Sequence, residues 1–279
     1  MNLWNIIKNK VSYHAVYDES IIEALKFAKN NNFAGIQLAV ESPHLSFEHL
    51  FHEKRVEIKN FCNNNGLYIN LHAPDNISLF NSNPPLQNGI FEYFKDLFKF
   101  ANEISSQLVT IHIGSMTTFP TDTNPELIYP HEDLDFYKKS LKENLKLLIS
   151  LLDGQIMLCI ENYRINSLIL DVLQPFVLNK ECWLCYDLAK AYTNEQHKNI
   201  EVSKFFLENK NSIKQVHLHD INENGRGHRV IGSGLIDFNE ILLKIKNAHI
   251  IDYCIEVRPR SKALESLKNL KQILSNSAQ

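Results

Sequence analysis

The sequence lacks any uninterrupted apolar segment of the roughly 20 residues that a membrane-spanning helix needs. It also lacks a strong charge of either sign, because its formal net charge is −3, so the whole chain does not have the basic character of a nucleic-acid-binding domain. The N-terminus carries Lys8 and Lys10 and no small-residue cleavage site, which argues against a secretory signal. We therefore expect a cytoplasmic protein with no membrane segment.

Cysteine is sparse as well. The five cysteines form no regularly spaced framework, which is typical of a reducing compartment. Cys182 and Cys185 have the spacing of a redox or zinc motif, but they fall in a predicted strand, where this separation places the side chains on opposite faces. No second pair accompanies them, so we expect neither a structural zinc nor a redox function there.

The sequence does contain a repeated alternation of short apolar runs and amphipathic segments. The apolar runs predict strands at 11–16, 33–40, 67–73, 108–114, 156–162, 182–188, 213–220 and 252–258. Helical periodicity predicts helices after Ser20 and Ser46, which are expected N-caps, and at 87–105, 135–152, 166–178, 198–210, 237–246 and 261–275. Eight strand–helix units predict a single (β/α)8 TIM-barrel domain over residues 1–279.

The alternative α/β architecture is an open, doubly wound sheet. It is disfavoured because no glycine-rich phosphate loop follows the first strand and no linker divides the chain. The segments 74–90, 115–132 and 220–235 are long and rich in Pro, Asn, Thr and Gly. Each follows a strand, so all three belong to the C-terminal face, where barrel active sites lie.

Polar side chains stand at the C-terminal ends of most predicted strands. They are His14, Gln37, Glu41, His72, His112, Glu161, Asp187, His217, His219 and Glu256. Buried carboxylates that converge in this way need a counter-charge, because each costs several kcal/mol when it is unpaired. Imidazole and carboxylate groups are common ligands of divalent metals, so the set predicts a metal site at the barrel mouth.

Each of these residues also has a structural explanation. A single histidine at a strand end is more often a hydrogen-bonded core residue than a ligand, and Asp187 is equally suited to cap the following helix. Glu161 and Glu256 are harder to explain structurally, because glutamate is rarely buried without a partner. The placement of such residues on most strands at once favours metal binding.

The arginines give a separate signal. Five of the six follow the fifth, seventh and eighth predicted strands. Guanidinium groups match phosphate or carboxylate oxygens, so this clustering predicts an anionic substrate, although some of the arginines are expected to pair with surface carboxylates. Arg226 is the strongest candidate because glycines flank it. The other expected substrate contacts are Arg164, Lys190, His228 and His14.

Seven motifs occur in a fixed order along the chain. They are LHAP (71–74), TIHIGS (110–115), IEN (160–162), YDLAKA (186–191), VHLHD (216–220), HRVIGSGLIDF (228–238) and IEV (255–257). Together they resemble the xylose-isomerase-like TIM-barrel superfamily, which contains sugar (phosphate) isomerases and epimerases and the AP endonucleases. The resemblance covers nearly the whole chain.

This resemblance implies the ligands of a core metal, which are Glu161, Asp187, His217 and Glu256. In the AP-endonuclease branch two further histidines bind a neighbouring metal that the first glutamate bridges, and His72 and His112 match them.

The sequence departs from the AP-endonuclease pattern at the third zinc site of that branch. Lys190 stands where a histidine is expected, and Arg226 stands where an aspartate is expected before His228. A cationic side chain cannot ligate zinc, so this third site is expected to be absent. A tyrosine of that branch is replaced by Asp75 and Asn76. The ketose-epimerase branch instead has an arginine in an NxRG loop that contacts substrate, and Arg226 matches it.

Three functions are compatible with these residues. The favoured one is a divalent-metal-dependent isomerase or epimerase of a small sugar or sugar phosphate. In this function Glu161 and Glu256 move a proton next to a carbonyl, and each chain binds one or two Zn or Mn ions. The alternative is an endonuclease-IV-like phosphodiester hydrolase that acts on DNA, and the third is a non-catalytic metal-binding or ligand-binding barrel. The hydrolase is less favoured because the chain has no basic stripe interleaved with aromatic residues. A homo-oligomer is compatible with a barrel of this size.

Overall fold

The computed structural model describes residues 2–116, 131–153, 155–196 and 199–275. Eight parallel strands form a closed barrel in chain order, with β8 paired to β1. The strands are β1 (Val11–Ala15), β2 (Gly35–Ala39), β3 (Tyr68–His72), β4 (Leu108–Ile111), β5 (Met157–Glu161), β6 (Trp183–Asp187), β7 (Ile213–Leu218) and β8 (Asp252–Ile255). The predicted (β/α)8 barrel is confirmed.

Helices cover the outside of the barrel, where a short one precedes β1 and the others follow strands. They are α1 (Leu3–Ile7), α2 (Ile21–Asn30), α3 (His52–Asn65), α4 (Pro84–Glu103), α5 (His131–Ser150), α6 (Ser167–Leu178), α7 (Leu188–Gln196), α8 (Ile200–Glu208), α9 (Phe238–Ile245) and α10 (Arg260–Ser275). The sequence did not predict α1 or α7. Most of the predicted loop 115–132 lies outside the described residues, which resume at residue 131.

The two predicted serine caps have different outcomes. Ser20 caps α2 as predicted, since its hydroxyl accepts a hydrogen bond from the Glu23 amide at 3.3 Å. The prediction for Ser46 is wrong, because α3 begins only at His52. The guanidinium of Arg55 donates to the backbone carbonyls of Phe47 and Leu50 and so stabilises a non-helical turn before the helix. Periodicity alone does not reveal such a tertiary contact.

The core has two parts, one between the barrel and its helices and one inside the barrel. Phenylalanines and aliphatic residues fill the outer part, where Phe94, Phe98 and Phe206 are almost completely buried. Cys182 packs in this outer part, whereas Cys185 packs inside the barrel with Leu108 and Cys159, as the strand geometry predicts. In the described parts of the chain no helix is long and apolar enough to cross a membrane.

The lower interior of the barrel is polar, which the strand patterns did not predict, and Gln37 belongs to it and not to the cavity lining where it was expected. We call this set the lower layer, and its members are Ser12, Gln37, Tyr68, Asn70, Thr110, Gln215 and Asp252. Asp252 is fully buried at its centre. The layer lies directly below the C-terminal ends of the strands, where it contacts the candidate site.

Candidate functional site

A cavity of about 180 Å³ opens at the C-terminal ends of the strands. Five of the six predicted metal ligands line it, namely His72, His112, Glu161, Asp187 and Glu256. The sixth, His217, is completely buried and lies against two of these carboxylates. Since all strands of a parallel barrel end at the same face, residues that are far apart in sequence meet here. Together with His14 on β1, these six residues are called the upper layer below.

Glu161 is the centre of the upper layer. Its Oε2 atom lies 3.3 Å from His72 Nε2, 3.2 Å from His112 Nε2 and 3.2 Å from His217 Nδ1. His217 Nδ1 also lies 3.4 Å from an oxygen of Glu256. Three imidazole nitrogens and two carboxylates are therefore directed at one small volume.

The charges in this volume shift the pKa values of its residues. Burial opposes protonation of His217, but the carboxylates of Glu256 and Glu161 outweigh it and raise the pKa of His217 to about 10. Burial would raise the pKa of Glu161, but His217 and His112 outweigh it and hold this pKa well below its usual range. In the metal-free protein a proton on His217 thus balances part of the carboxylate charge.

Hydrogen bonds outside the cavity determine which nitrogen each histidine directs inward. His72 Nδ1 lies 2.8 Å from the carbonyl oxygen of Ala73, so it carries the proton and leaves Nε2 to face Glu161. His217 Nε2 lies 3.2 Å from Oε1 of Gln215, so this nitrogen donates and Nδ1 faces the carboxylates. The two histidines present different nitrogens because their partners lie on different sides of the ring.

The orientation of Gln215 is itself determined by the lower layer. The amide nitrogen of Gln215 donates to Asp252 Oδ2 at 2.6 Å, and the opposite orientation would place two oxygens in contact there. Asp252 also accepts hydrogen bonds from Ser12, Tyr68 and Asn70 at 2.6, 2.8 and 3.1 Å. Burial raises the pKa of Asp252, and the four donors limit this rise because they favour the ionised carboxylate. A chain of contacts therefore runs from Asp252 through Gln215 to His217.

Asp187 has two roles in the structure. Its Oδ1 atom accepts a hydrogen bond from the Lys190 amide at 2.9 Å, so it caps the start of α7, as the structural explanation expected. Its Oδ2 atom lies 3.1 Å from His219 Nε2. Burial would raise the pKa of Asp187, but His219 outweighs it and lowers this pKa. Asp187 therefore presents an ionised carboxylate to the cavity.

Several buried nitrogens at the site have no hydrogen-bond partner among the described residues. They are both ring nitrogens of His14 and the Nδ1 atoms of His112 and His217. The three Nδ1 atoms each lie 3.2–3.4 Å from a carboxylate oxygen, without the alignment of a hydrogen bond. Burial holds the pKa of His14 well below its ordinary value, so its ring is neutral and offers a lone pair. Orphaned nitrogens beside ionised carboxylates are the donor set that a divalent cation requires, so the residues of the upper layer fit such an ion.

The predicted substrate contacts are only partly at the cavity. His14, Lys190 and His228 line it. Arg226 instead lines a neighbouring pocket. Arg164 lies over the ring of Tyr163, with its guanidinium carbon 5.1 Å from the ring centroid.

Three further polar residues of the cavity were not individually predicted to line it, although Arg258 is one of the five clustered arginines. Asp75 lies 3.4 Å from His112 Nδ1, and the Tyr163 ring packs 4.5 Å from the His112 ring, measured between centroids. Arg258 also lines the cavity. Tyr163 and Arg258 each stand two residues after a predicted catalytic glutamate, and this spacing is the signal that could have found them.

A model of the family described as xylose isomerase-like TIM barrel matches residues 25–273. This chain belongs to that family. Among curated proteins, no sequence matches it.

Solved structures with the same fold include enzymes of two kinds. The 3-keto-D-glucoside 4-epimerase YcjR from E. coli is 15% identical with a TM-score of 0.69, covering 94% of this chain and 98% of its own. A D-tagatose 3-epimerase-like protein is 21% identical with a TM-score of 0.69, covering 96% and 97%. Endonuclease IV from Thermus thermophilus is 15% identical with a TM-score of 0.73, covering 96% and 100%. At these identities the likeness establishes the fold and leaves the reaction open.

Proposed function

We propose that this protein is a divalent-metal-dependent isomerase or epimerase of a small sugar or sugar phosphate. The observation that carries the proposal is the pair of buried glutamates, Glu161 and Glu256, both in contact with His217 Nδ1 and both lining a cavity of about 180 Å³. Pockets for drug-sized ligands measure about 300–1,000 Å³, so this cavity suits a small polar molecule.

The two glutamates are the proposed acid–base pair. They stand on β5 and at the end of β8, so they face the cavity from separate strands. In an epimerisation, one group removes a proton from a carbon next to a carbonyl and a second group returns a proton to that carbon. Each such group increases the reaction rate by about 10²–10⁴-fold. Lys190 and His14 also line the cavity and are proposed to hold the substrate's hydroxyl or carbonyl oxygens.

The proposed metal ligands are Glu161, Asp187, His217 and Glu256, with His72 and His112 available for a second ion. Zinc or manganese suits this mixture of imidazole and carboxylate groups. When bound, the ion would supply charge stabilisation for the oxygens of an enediolate. The chain itself keeps the imidazoles oriented and the carboxylates ionised, through Gln215, Ala73 and His219.

The first experiment is elemental mass spectrometry of protein purified without chelators, followed by incubation with a panel of ketoses and ketose phosphates in deuterium oxide. We expect bound metal, and deuterium at the carbon next to the carbonyl of at least one sugar, detected by proton NMR. Glu161→Gln and Glu256→Gln should abolish the exchange. Failure of the metal-loaded wild type to exchange any sugar in a broad panel would contradict the proposal.

A second function, phosphodiester hydrolysis, is favoured by one observation. His72 and His112 both contact Glu161, at 3.3 and 3.2 Å, which is the arrangement expected of a second metal bridged by that carboxylate. The hydrolase would be favoured by two results together. The wild type would bind two equivalents of metal and His72→Gln/His112→Gln only one, and the wild type would cleave an abasic-site oligonucleotide. One equivalent and no cleavage would favour the epimerase.

A further inference from the structure

A second pocket of about 500 Å³ adjoins the cavity, and its lining is basic. Three arginines, Arg226, Arg229 and Arg258, line it together with His228 and Tyr17, and none of the described residues in its wall is acidic. It shares His228 and Arg258 with the cavity. We call it the arginine pocket, and a molecule held in it would lie directly beside the upper layer.

Two of the other three arginines of the chain pair with carboxylates. Arg55 is 2.6 Å from Glu103 and Arg260 Nε is 2.8 Å from Asp18. Arg164 has no carboxylate partner among the described residues, but its guanidinium lies over the ring of Tyr163. Among the described residues, no carboxylate lies within ion-pair distance of Arg226, Arg229 or Arg258. Within the described part of the chain, the one side-chain hydrogen bond of Arg258 is long, at 3.5 Å to His228 Nδ1. Three of the six arginines of a chain with net charge −3 thus line one pocket, and none of the three pairs with a carboxylate among the described residues.

The loop that carries Arg226 and Arg229 is held by many hydrogen bonds. The buried carboxylate of Asp220 accepts from the amides of Ile221, Gly232, Gly234 and Ile236 at 2.9, 2.9, 2.9 and 3.1 Å. The Arg226 amide donates to Asn222 Oδ1 at 2.9 Å, and Arg229 pairs with Asp220 through two backbone hydrogen bonds. The backbone that presents the two guanidiniums is therefore formed before any ligand arrives, which lowers the entropic cost of binding.

This loop is also attached to the cavity. The His228 amide donates to His219 Nδ1 at 2.8 Å, and the two imidazole rings stack with centroids 4.2 Å apart. Gly227 permits this contact, because a Cβ atom there would lie 2.9 Å from the His219 ring. Since His219 in turn contacts Asp187, the position of the arginine pocket is fixed relative to the upper layer.

We propose that the arginine pocket binds the phosphoryl group of a sugar phosphate whose reacting carbons lie in the cavity, an inference that rests on the proposed function for the sugar part. Guanidinium forks match phosphate oxygens in pairs, and several cations at one point balance a dianion. A nucleic-acid backbone, in contrast, requires basic residues spaced along a stripe. Phosphorylated sugars, and not free sugars, are therefore the substrate class to examine.

The test is a titration of inorganic phosphate followed by ³¹P NMR, made on the protein as purified and again after chelator treatment. Phosphate that binds the chelator-treated protein is not bound through a metal ion. This result therefore tests the arginine pocket without assuming the proposed function. The test variant is Arg226→Ala/Arg229→Ala. The matched control is Lys142→Ala/Lys146→Ala, which removes two exposed positive charges from α5. Arg226→Lys/Arg229→Lys keeps the charge and removes the forks.

We expect phosphate to bind the wild type and the lysine control equally, and the double alanine variant at least tenfold more weakly, with the arginine-to-lysine variant between them. Equal binding by all four proteins would overturn the proposal in favour of general surface attraction. Binding that survives in the double alanine variant but is lost in Lys190→Ala would place the anion in the cavity and would also overturn it.

Competition experiments then identify which kind of molecule carries the phosphate that the pocket binds. Ketose phosphates should compete with inorganic phosphate, whereas the corresponding free sugars should not. Tighter competition by a single-stranded or abasic oligonucleotide, abolished by the same double alanine variant, would overturn the proposal in favour of a nucleic-acid ligand. Absence of sugar turnover in the wild type with intact phosphate binding would overturn the proposed function alone.

Discussion

The upper and lower layers of the barrel interior are both polar, but their hydrogen bonding differs. In the lower layer, Asp252 receives four donors and every side chain has at least one partner, while the amide oxygens of Gln37 and Asn70 accept no hydrogen bond among the described residues. In the upper layer, nitrogens of His14, His112 and His217 have no hydrogen-bond partner among the described residues. The polar groups of the lower layer are thus directed mainly at one another, whereas those of the upper layer are directed at the cavity, which is the arrangement we expect if the upper layer binds a ligand and the lower layer supports it.

The largest effect should come from replacing a glutamate of the upper layer. Glu256→Gln keeps the shape of the side chain and removes its charge, so we expect sugar turnover to fall by about 10²–10⁴-fold. Glu223→Gln, in an exposed loop, is the control and should change turnover little. Turnover would be measured by NMR on the metal-loaded protein. A comparable loss in both variants would contradict the assignment of the acid–base pair.

Breaking the contact between the layers should have the next largest effect. Gln215→Leu removes the acceptor of His217 Nε2 and one donor to Asp252, so we expect metal affinity to fall by about 10–100-fold. The loss of these buried hydrogen bonds should also lower the free energy of unfolding by about 1–3 kcal/mol. A zinc-chelator competition and a urea titration measure the two quantities.

A double variant shows whether orientation, and not packing alone, explains this loss. Gln215→Glu/Asp252→Asn moves the negative charge from one side of this contact to the other. The carboxylate introduced on β7 can again accept from His217, and the amide introduced on β8 can donate to that carboxylate. We expect this variant to recover most of the metal affinity that Gln215→Leu loses. A double variant as weak as Gln215→Leu would show that Gln215 only fills space.

A change of pH should have a smaller effect, which acts through His217 in the upper layer. The ordinary pKa of a histidine is 6.5, and the pKa of His217 in the folded, metal-free protein is about 10. Protonated His217 therefore stabilises the fold fully below pH 6.5, and this stabilisation is lost as the pH rises towards 10. Zinc binding must displace that proton, so affinity should rise by up to about tenfold per pH unit in this interval. Chelator competition at pH 7 and pH 9 measures the slope, which His217→Asn should remove. A pH-independent affinity in the wild type would contradict it.

The smallest effect should come from a change outside both layers. Ser20→Ala removes the cap of α2 and should lower the free energy of unfolding by about 0.5–2 kcal/mol in a urea titration. Metal affinity and turnover should not change, because α2 packs on the outside of the barrel. A change in metal affinity would show that the site responds to any loss of stability. The effect of Gln215→Leu could then not be attributed to the contact between the two layers.

The sequence predicted every strand end to within about three residues, whereas it misplaced the beginning of α3 and missed α1 and α7. Apolar runs located all eight strands, and Glu161 and Asp187 were correctly expected at strand ends. Ser46 was assigned to a helix that begins six residues later, because the Arg55 contacts that stabilise the turn are not visible in periodicity. The helix α7 was missed because it follows β6 without a loop and begins at the capping carboxylate of Asp187.

Within the site, residue types were predictable and their partners were not. The set of histidines and carboxylates was read from strand ends, and their roles as metal ligands are still predictions. The dependence of His217 on Gln215 and Asp252 was missed, because a polar residue within an apolar strand gives no indication of which distant side chain it meets. Arg226 was expected in the cavity but lies in the arginine pocket, since the turn of its loop decides where its side chain goes.

The sequence by itself determined the alternation of strands and helices, the barrel that follows from it, and the chemical types gathered at one end. These depend on local hydrophobic periodicity, which is a property of neighbouring residues. Only the tertiary structure decided which nitrogen each histidine presents, which arginines are left without a counter-ion, and which pockets adjoin. Those features depend on distances between residues up to about 240 positions apart, such as Ser12 and Asp252, and such distances exist only after the barrel has closed.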